Sequence, residues 1–302
     1  MYGISHLRDA IQSPNPLYHL CMREINKMYF SRMGYRDYNP DGIDVLSGDW
    51  DNMIILDSCR YDIFEEESSL PGTLEKRTSR GSMSEEFIIG NFTNKTLYDL
   101  VYISGNSWYA RKCKSINTEV HHYSLIDAEY PEKTEEITRQ AKEAIDNYPN
   151  KRLIIHYMLP HFPYIGKTAR EYFPSIDTQR ERLFADLRAG RVDITDEQLE
   201  KAYRENLRIV LPEVSELLDT LSGKTVVTAD HGELLEERTF PIPYREYSHP
   251  KRMYVPQLVE VPWLIHENGE KEIESETPAK DNLSGITHDD VRNNLRDLGY
   301  IQ

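Results

Sequence analysis

Four short apolar runs in this chain each lead to a polar residue. They are "NMIIL" before Asp57, "LVYISG" before Asn106, "RLIIHYMLP" before His161, and "KTVVTA" before Asp230. None alternates between apolar and polar residues, which is typical of parallel strands that are covered on both faces. Helical patterns lie between the runs. The sequence therefore predicts an α/β fold with a mainly parallel, doubly wound sheet and helices on both faces.

The longest helical pattern precedes the fourth run. It begins at Thr195, with Gln198 three residues later as in a capping box, and ends at Gly223. A proline within the helix, Pro212, is expected to kink or split it.

The N-terminal part of the chain contains helical patterns but none of the four runs. We expect residues 1–45 to form a helical extension packed on the core, and residues 46–302 to form the catalytic domain. The same extension could instead form a homodimer contact or meet a membrane-bound partner.

Composition excludes several classes of protein. The 302 residues include 51 acidic and 36 basic ones, a formal charge of −15 that argues against nucleic acid as the main partner. No apolar run approaches the roughly 18 to 20 residues of a membrane span. Three cysteines without CxxC spacing, together with an N-terminus unlike a secretory signal, favour a cytoplasmic location.

Because the carboxyl ends of parallel strands meet at one edge of a sheet, Asp57, Asn106, His161, Asp230 and His231 are expected to lie close together. Carboxylates and imidazoles suit Zn, Mn or Mg, and unpaired buried carboxylates are costly. The sequence therefore predicts a divalent metal site. Any one of these residues alone could equally cap a helix or form a turn.

The segment "TSRGSMSEEFIIGNF" is the best candidate for a nucleophile. Ser82 and Glu85 fit an S-x-x-E capping box, and a serine hydroxyl at a helix N-terminus lies in positive potential. Ser82 and Ser84 could also be caps without a catalytic role. His249, in "REYSHP" after the fourth run, could join the cluster or be an exposed loop histidine.

The segment "SGNSWYARKCKS" has both aromatic and basic side chains. Trp108, Tyr109, Arg111, Lys112 and Lys114 could form a rim that binds a sugar or an anionic ester, or they could belong to an ordinary solvated loop.

Six segments, in order from about residue 50 to the end, resemble the alkaline phosphatase and sulfatase superfamily. They are "DNMIILDSCRYD", "RGSMSEEF", "HYMLPHFPYIG", "VVTADHGE", "SHP" followed by "VEVPWLI", and "VRNNLRDLGYIQ". The resemblance implies an alkaline phosphatase-like fold and action on phosphate or sulfate esters.

Carried onto this sequence, the resemblance implies a set of ligands for one divalent metal: Asp57, Ser84, Asp230 and His231. Ser84 is the first choice of nucleophile because it follows Gly81 by three residues, as in the Gly-x-x-Thr arrangement of sulfatase-like archaeal proteins. The register of lipoteichoic acid synthase-like members would choose Ser82 instead.

The resemblance also implies roles beyond the metal. His161 and His249 would contact phosphate or sulfate oxygens or complete a second metal site, and His249 would also be a proton donor. Asn106 would hold a nonbridging oxygen.

The chain departs from the family in two ways. It lacks the Cys-x-Pro-x-Arg signature from which sulfatases make formylglycine, and it has His156 and His161 where two-metal members have Asp-x-x-x-His. A single-metal site like that of the lipoteichoic acid synthases fits better, with Mn, Zn, Mg or Ca as the ion and Mn or Zn favoured.

The resulting hypothesis is a metal-dependent hydrolase or transferase of phosphate monoesters or diesters with a serine nucleophile. Its substrate would be a small-molecule or glycan-linked phosphate or sulfate ester. The alternatives are a sulfuric ester hydrolase that uses serine instead of formylglycine, and a noncatalytic binding protein with the same fold.

Overall fold

The computed structural model describes residues 14–35, 37–173, 180–188 and 190–278. These residues form a seven-stranded sheet. Its strands are β1 (Asn52–Leu56), β2 (Thr73–Thr78), β3 (Thr96–Ser104), β4 (Glu119–Leu125), β5 (Arg152–Tyr157), β6 (Gly223–Thr228) and β7 (Glu260–Asn268).

The strand order is β2-β7-β6-β1-β5-β3-β4. The five strands from β6 to β4 run parallel, β7 is antiparallel to β6, and β2 is antiparallel to β7. The predicted mainly parallel α/β sheet is confirmed.

Helices cover both faces of this sheet. They are α1 (Pro14–Arg32), α2 (Tyr61–Glu67), α3 (Ser84–Phe92), α4 (Trp108–Lys112), α5 (Glu132–Asn147), α6 (Lys167–Tyr172), α7 (Arg180–Arg188), α8 (Asp196–Thr220) and α9 (Pro256–Val259). Apolar side chains of α2, α5 and α8 pack on one face, and those of α3 and α4 pack on the other.

The central strand β1 explains why the apolar runs do not alternate. Ile54 and Leu56 join the core beneath α8, whereas Met53 and Ile55 join the core beneath α3. All four side chains are fully buried, so each of these four positions favours an apolar residue.

Two outer strands were not predicted from the sequence. β2 ("TLEKRT") lies at one edge of the sheet with most of its side chains partly or fully exposed, and β4 ("EVHHYSL") lies at the other edge. Edge strands often carry charged and polar side chains, which prevent pairing with other chains but remove the apolar signal.

The capping box of α8 is confirmed. The Thr195 hydroxyl oxygen accepts a hydrogen bond from the Gln198 backbone N–H at 3.2 Å, and the Gln198 side chain accepts one from the Thr195 N–H at 2.9 Å. Pro212 lies inside a helix that continues to Thr220, so it does not split the helix. Buried side chains on either side of the proline, Leu211 and Val214 among them, hold the two halves on the same core.

Helix α1 is attached to the segment that precedes His249. Arg23 binds the Glu246 carboxylate through two nitrogens at 2.6 and 2.8 Å, and the Asn26 side-chain amide donates to Thr239 Oγ1 at 3.0 Å. Arg188 of α7 binds the other Glu246 oxygen at 2.8 Å. A buried carboxylate therefore joins α1 and α7 to the loop between β6 and α9.

Several predictions about the chain ends remain open. The boundary at residue 45 and the homodimer stay predictions, as does the cytoplasmic location. The segment "VRNNLRDLGYIQ" lies outside the described residues. Among the helices that the structure does describe, none combines the length and the apolar character needed to cross a bilayer.

Replacing Arg23 with methionine is expected to lower the free energy of unfolding by about 1–3 kcal/mol at pH 7, because Glu246 would lose a charged donor while remaining buried. Urea unfolding followed by circular dichroism measures the change. Burial raises the pKa of Glu246, but Arg23 and Arg188 outweigh it and hold that pKa below its usual value. A carboxylate with a lowered folded-state pKa stabilises the fold above its unfolded pKa and loses that contribution as the pH falls through the folded pKa.

The difference in the free energy of unfolding between the wild type and Arg23→Met should therefore become smaller at acidic pH. Lys27→Met is the control, since Lys27 forms a more exposed ion pair with Glu24 on the same helix. Equal destabilisation by the two substitutions would contradict this account of α1 docking.

Candidate active site

Five of the predicted site residues meet beyond the carboxyl ends of the parallel strands. Asp57 follows β1, Asp230 and His231 follow β6, Asn106 follows β3, and Ser84 begins α3. All five are buried, with no more than 3% of any residue exposed. The sheet therefore gathers residues that are up to 174 positions apart in the sequence.

Asp230 is oriented by the backbone around it. Its Oδ1 accepts hydrogen bonds from the N–H groups of Ser58 at 3.1 Å and His231 at 2.9 Å. Its Oδ2 is buried and has no hydrogen-bond partner among the described residues. One oxygen thus anchors the side chain while the other faces the site.

His231 also turns one ring nitrogen toward the site. Its Nδ1 lies 2.8 Å from the Gly232 carbonyl oxygen, so the network assigns the proton to Nδ1. Its Nε2 lies 3.5 Å from Asp57 Oδ1 and 3.4 Å from Asp230 Oδ2. Ligand atoms of these three residues all lie within 4.8 Å of one another, so they could hold a metal ion.

The turn after His231 requires glycine. A Cβ atom on Gly232 would lie 2.0 Å from the Gln257 carbonyl oxygen, closer than any real contact of this kind. The Gly232 N–H donates to the Leu258 carbonyl oxygen at 2.8 Å. The close approach of these two segments fixes the direction of the loop that carries His231.

Ser84 lies next to the Asp57, Asp230 and His231 group. Its Oγ is 3.4 Å from Asp57 Oδ2 and 3.3 Å from His231 Nε2. As the first residue of α3, it lies where N–H groups without intrahelical partners and the helix dipole favour an anion.

Ser82 lies elsewhere and has other partners. Its hydroxyl donates to Glu86 Oε2, with an oxygen-oxygen distance of 2.7 Å, and its N–H donates to the same oxygen at 3.0 Å. The predicted capping box of Ser82 and Glu85 is wrong, because α3 begins two residues later and its N-cap, Met83, has no side-chain cap. Burial raises the pKa of Glu86, and the two hydrogen bonds from Ser82 oppose that rise.

The amide of Asn106 is oriented toward the same site. Its Oδ1 accepts a hydrogen bond from the Trp108 N–H at 2.9 Å, which assigns the opposite side of the amide as the donor. Its Nδ2 lies 2.6 Å from Asp57 Oδ2 and 3.0 Å from Ser84 Oγ. An amide donor is thus held beside the serine hydroxyl.

His249 and His161 border the site. The His249 ring centroid lies 4.3 Å from that of His231 and 5.1 Å from that of His161. His249 Nδ1 faces the Glu233 carboxylate at 3.1 and 3.2 Å, and Ser58 Oγ donates to the same carboxylate at 2.7 Å. The Glu233 carboxylate therefore fixes the orientation of the His249 ring through Nδ1.

Sequence reasoning gave no role to Glu233 or Ser58. Glu233 is the last residue of "DHGE", so its position beside the predicted ligands was the available signal. Ser58 has a φ of 67°, in the left-handed region that side chains rarely adopt. Its hydrogen bonds to Asp230 and Glu233, and one from the Tyr203 hydroxyl to its carbonyl oxygen at 2.7 Å, hold that conformation.

His156 was also missed as a site residue. Its Nε2 lies 3.9 Å from Asp57 Oδ2 and 3.8 Å from Asp230 Oδ2, and its Nδ1 lies 2.9 Å from the Tyr102 hydroxyl. Burial lowers the pKa of His156 to about 4, partly opposed by Asp230, so the ring is neutral at pH 7. If Nδ1 donates to Tyr102, the Nε2 lone pair faces both carboxylates and could serve as a further metal ligand.

The aromatic half of the predicted rim is wrong. Trp108 and Tyr109 are buried in the core on the α3 face rather than exposed to a substrate, because they begin a short helix packed against Phe92 and Tyr102. The Arg111 guanidinium lies over the Trp108 ring, 3.9 Å from its centroid.

No family model matches the chain, and neither does any curated protein. Solved structures of phosphoethanolamine transferase domains and of sulfatases are similar to it. The C-terminal periplasmic domain of a phosphoethanolamine transferase from Campylobacter jejuni is 12% identical, with 71% of this chain and 78% of that one covered and a TM-score of 0.49. The corresponding domain of EptC from Escherichia coli, solved in complex with Zn, is 13% identical, with 75% and 77% covered and a TM-score of 0.42. A 2-O GAG sulfatase is 12% identical, with 75% and 65% covered and a TM-score of 0.43.

Identity this low, with TM-scores below 0.5, carries no information about the reaction of this chain. Phosphoethanolamine transferases and sulfatases belong to the alkaline phosphatase and sulfatase superfamily, the family that the sequence motifs resemble.

Proposed function

We propose that this protein is a metal-dependent hydrolase or transferase of phosphate esters with Ser84 as its nucleophile. One observation supports this most strongly: the Ser84 hydroxyl lies within 3.4 Å of the Asp57 carboxylate, the His231 imidazole and the Asn106 amide. These groups surround one oxygen with the donors and ligands that phosphoryl transfer to a serine needs.

The residues fit a divalent cation. Asp57 and Asp230 offer hard carboxylate oxygens, His231 offers Nε2, and Asp230 Oδ2 is buried without a hydrogen bond from the described residues. Asp57, Asp230, His231 and Ser84 would hold one ion, with Mn or Zn favoured. When bound, the ion would act as a Lewis acid that reduces negative charge on nearby oxygens.

In the first step, the Ser84 oxygen forms a bond to phosphorus while the bond from phosphorus to the leaving oxygen breaks. The Ser84 hydroxyl would pass its proton to Asp57 Oδ2, which accepts its hydrogen bond at 3.4 Å. Asn106 Nδ2 and the N-terminal turn of α3 would stabilise charge on the nonbridging oxygens, and His161 would contact them as well.

His249 would donate a proton from Nε2 to the leaving oxygen. Glu233 stabilises the protonated form of the ring, because its carboxylate faces Nδ1 at 3.1 Å. A water or an acceptor alcohol would then attack the phosphoserine and lose its proton to His249. The bond between phosphorus and Ser84 breaks, and the Ser84 oxygen recovers its proton from Asp57.

Three chromogenic esters test the class of reaction: p-nitrophenyl phosphate, bis-p-nitrophenyl phosphate and p-nitrophenyl sulfate, each with metal-stripped protein and added Mn, Zn, Mg or Ca. We expect metal-dependent turnover of a phosphate ester. Ser84→Ala should reduce kcat by at least about 10³-fold, because it removes the hydroxyl that contacts both Asp57 and His231.

Ser82→Ala is the matched control, two residues away and equally buried. It should keep kcat within about tenfold while losing some stability, since it removes a buried hydrogen bond to Glu86. Full activity of Ser84→Ala with an inactive Ser82→Ala would refute the choice of nucleophile. Turnover of the sulfate ester alone would identify a serine-dependent sulfatase instead. If no ester is turned over and the protein also binds no metal, a binding protein would be favoured.

Asp230→Asn is expected to weaken metal binding by at least about 100-fold. An asparagine oxygen can still accept the hydrogen bonds from Ser58 and His231, but the atom that faces the site becomes an NH₂ group, which is not a metal ligand. Calorimetric titration with Mn and Zn, with elemental analysis of the purified protein, measures this directly.

Asp49→Asn is the control, because Asp49 is 93% exposed and pairs only with Lys224 among the described residues. It should leave metal binding unchanged. If Asp230→Asn still binds one metal ion per chain with unchanged affinity, the ion lies elsewhere.

His249→Gln should reduce turnover of an alkyl phosphate at least about tenfold more than that of p-nitrophenyl phosphate. An alkoxide leaves only when it is protonated, whereas p-nitrophenolate leaves without help. Glu233→Gln should show the same pattern to a smaller degree, because it removes the carboxylate that faces His249 Nδ1. Equal losses for both leaving groups would exclude His249 as the proton donor.

A further inference from the structure

Two lysines meet at a single carboxylate beside Ser84. Lys112 Nζ lies 2.5 Å from Glu85 Oε1, and Lys251 Nζ lies 2.6 Å from Glu85 Oε2. Burial raises the pKa of Glu85, but hydrogen bonds from the two lysines outweigh it and lower that pKa below its usual value. The three charges therefore sum to +1 at neutral pH.

Each of these residues belongs to a segment that supplies a site residue. Glu85 follows Ser84 directly in the first turn of α3, so their Cα atoms are about 3.8 Å apart. Lys112 ends the short helix α4 that begins just after Asn106, and Lys251 follows His249 by two residues. The lysine pair is thus fixed to the same three segments as the nucleophile, the amide donor and the proton donor.

The lysines remain accessible although the site beneath them is buried. About 27% of the Lys112 side chain and 34% of the Lys251 side chain are exposed, compared with 1% of Ser84. An ammonium group has three N–H donors, and the ion pair with Glu85 occupies one donor of each lysine. Both can donate to a further acceptor.

The sign of this cluster opposes that of the whole protein. The chain has a net charge of −15, which repels anions at long range. A local excess of positive charge beside the nucleophile therefore favours an anion at this position.

We propose that Lys112 and Lys251 bind a second anionic group of the substrate, separate from the ester that reacts at Ser84. The inference rests on the proposed function. It defines the substrate as an ester that carries another phosphate, sulfate or carboxylate close to the reacting phosphorus. Glu85 holds the two ammonium groups in place and competes with that anion for them.

The competition by Glu85 separates this proposal from a purely structural ion-pair cluster. If the cluster only holds α3 in place, Glu85→Gln would break its ion pairs, and every substrate would be turned over less well. If the lysines bind substrate, removing the Glu85 charge leaves them free for the anion. Preference for a substrate with a second anion should then increase.

The test compares 3-carboxyphenyl phosphate with 3-carbamoylphenyl phosphate, which have nearly the same shape but differ in the second charge. The measured quantity is the kcat/KM of the carboxyphenyl ester divided by that of the carbamoylphenyl ester, with the metal-loaded, full-length protein. Lys112→Met and Lys251→Met should each lower this ratio by about tenfold, since each removes a charge-assisted hydrogen bond. Glu85→Gln should raise it about threefold or more.

Lys76→Met is the matched control, because Lys76 forms an exposed ion pair with Glu260 at the β2 and β7 edge of the sheet. It should leave the ratio unchanged. An unchanged ratio in both site lysine variants, or a lower ratio in Glu85→Gln, overturns the proposal.

Binding of the two corresponding phosphonates, which cannot be hydrolysed, gives a second measurement by calorimetry. The ratio of their association constants (1/Kd), carboxylated over carbamoylated, should change in the same directions in the same variants. If the wild type hydrolyses neither phosphate ester, the proposed function fails while the Kd ratio still tests the lysine pair. If both esters react and neither ratio responds to the lysine substitutions, only the lysine proposal fails.

Discussion

The rest of the site depends on the hydrogen bonds that the Asp230 carboxylate accepts. One of its oxygens accepts hydrogen bonds from the N–H groups of Ser58 and His231, and the bond from Ser58 ties the loop after β1 to the loop after β6. Ser58 in turn holds Glu233 through its hydroxyl, and Glu233 faces His249. The orientation of His249 thus follows, through three short contacts, from the carboxylate whose other oxygen faces the site.

Placing two carboxylates in one buried pocket creates an electrostatic cost that neutral neighbours cannot remove. Ligand atoms of Asp57 and Asp230 lie within 4.8 Å, where two unit charges repel by at least about 3 kcal/mol at an effective dielectric constant of about 20. His156 faces both, but burial lowers its pKa to about 4, so it carries no charge at pH 7. A divalent cation is the simple way to offset this repulsion, which is why the pocket fits a metal.

The sequence predicted the features that depend on a whole strand, and missed those that depend on a single contact between distant segments. The central parallel strands could be predicted because both of their faces are covered. The position of the polar residue at each strand end followed from that architecture. The start of α3 was misread because the local S-x-x-E pattern of Ser82 and Glu85 is outweighed by a buried bond between Ser82 and Glu86. His156 lies inside an apolar strand, and only the register of β5 beside β1 and β3 brings it to the carboxylates.

The loop that carries His249 depends on two helices outside it, α1 and α7. Glu246 is buried three residues before His249 and is held by Arg23 from α1 and Arg188 from α7. Breaking such a buried ion cluster costs more than losing an exposed pair, because a charge remains without compensation. Neither arginine touches the predicted metal ligands, and neither lies in a recognisable motif. Their effect on the site would pass through the position of one loop, so the N-terminal helix bears on the chemistry although it lies outside the sheet.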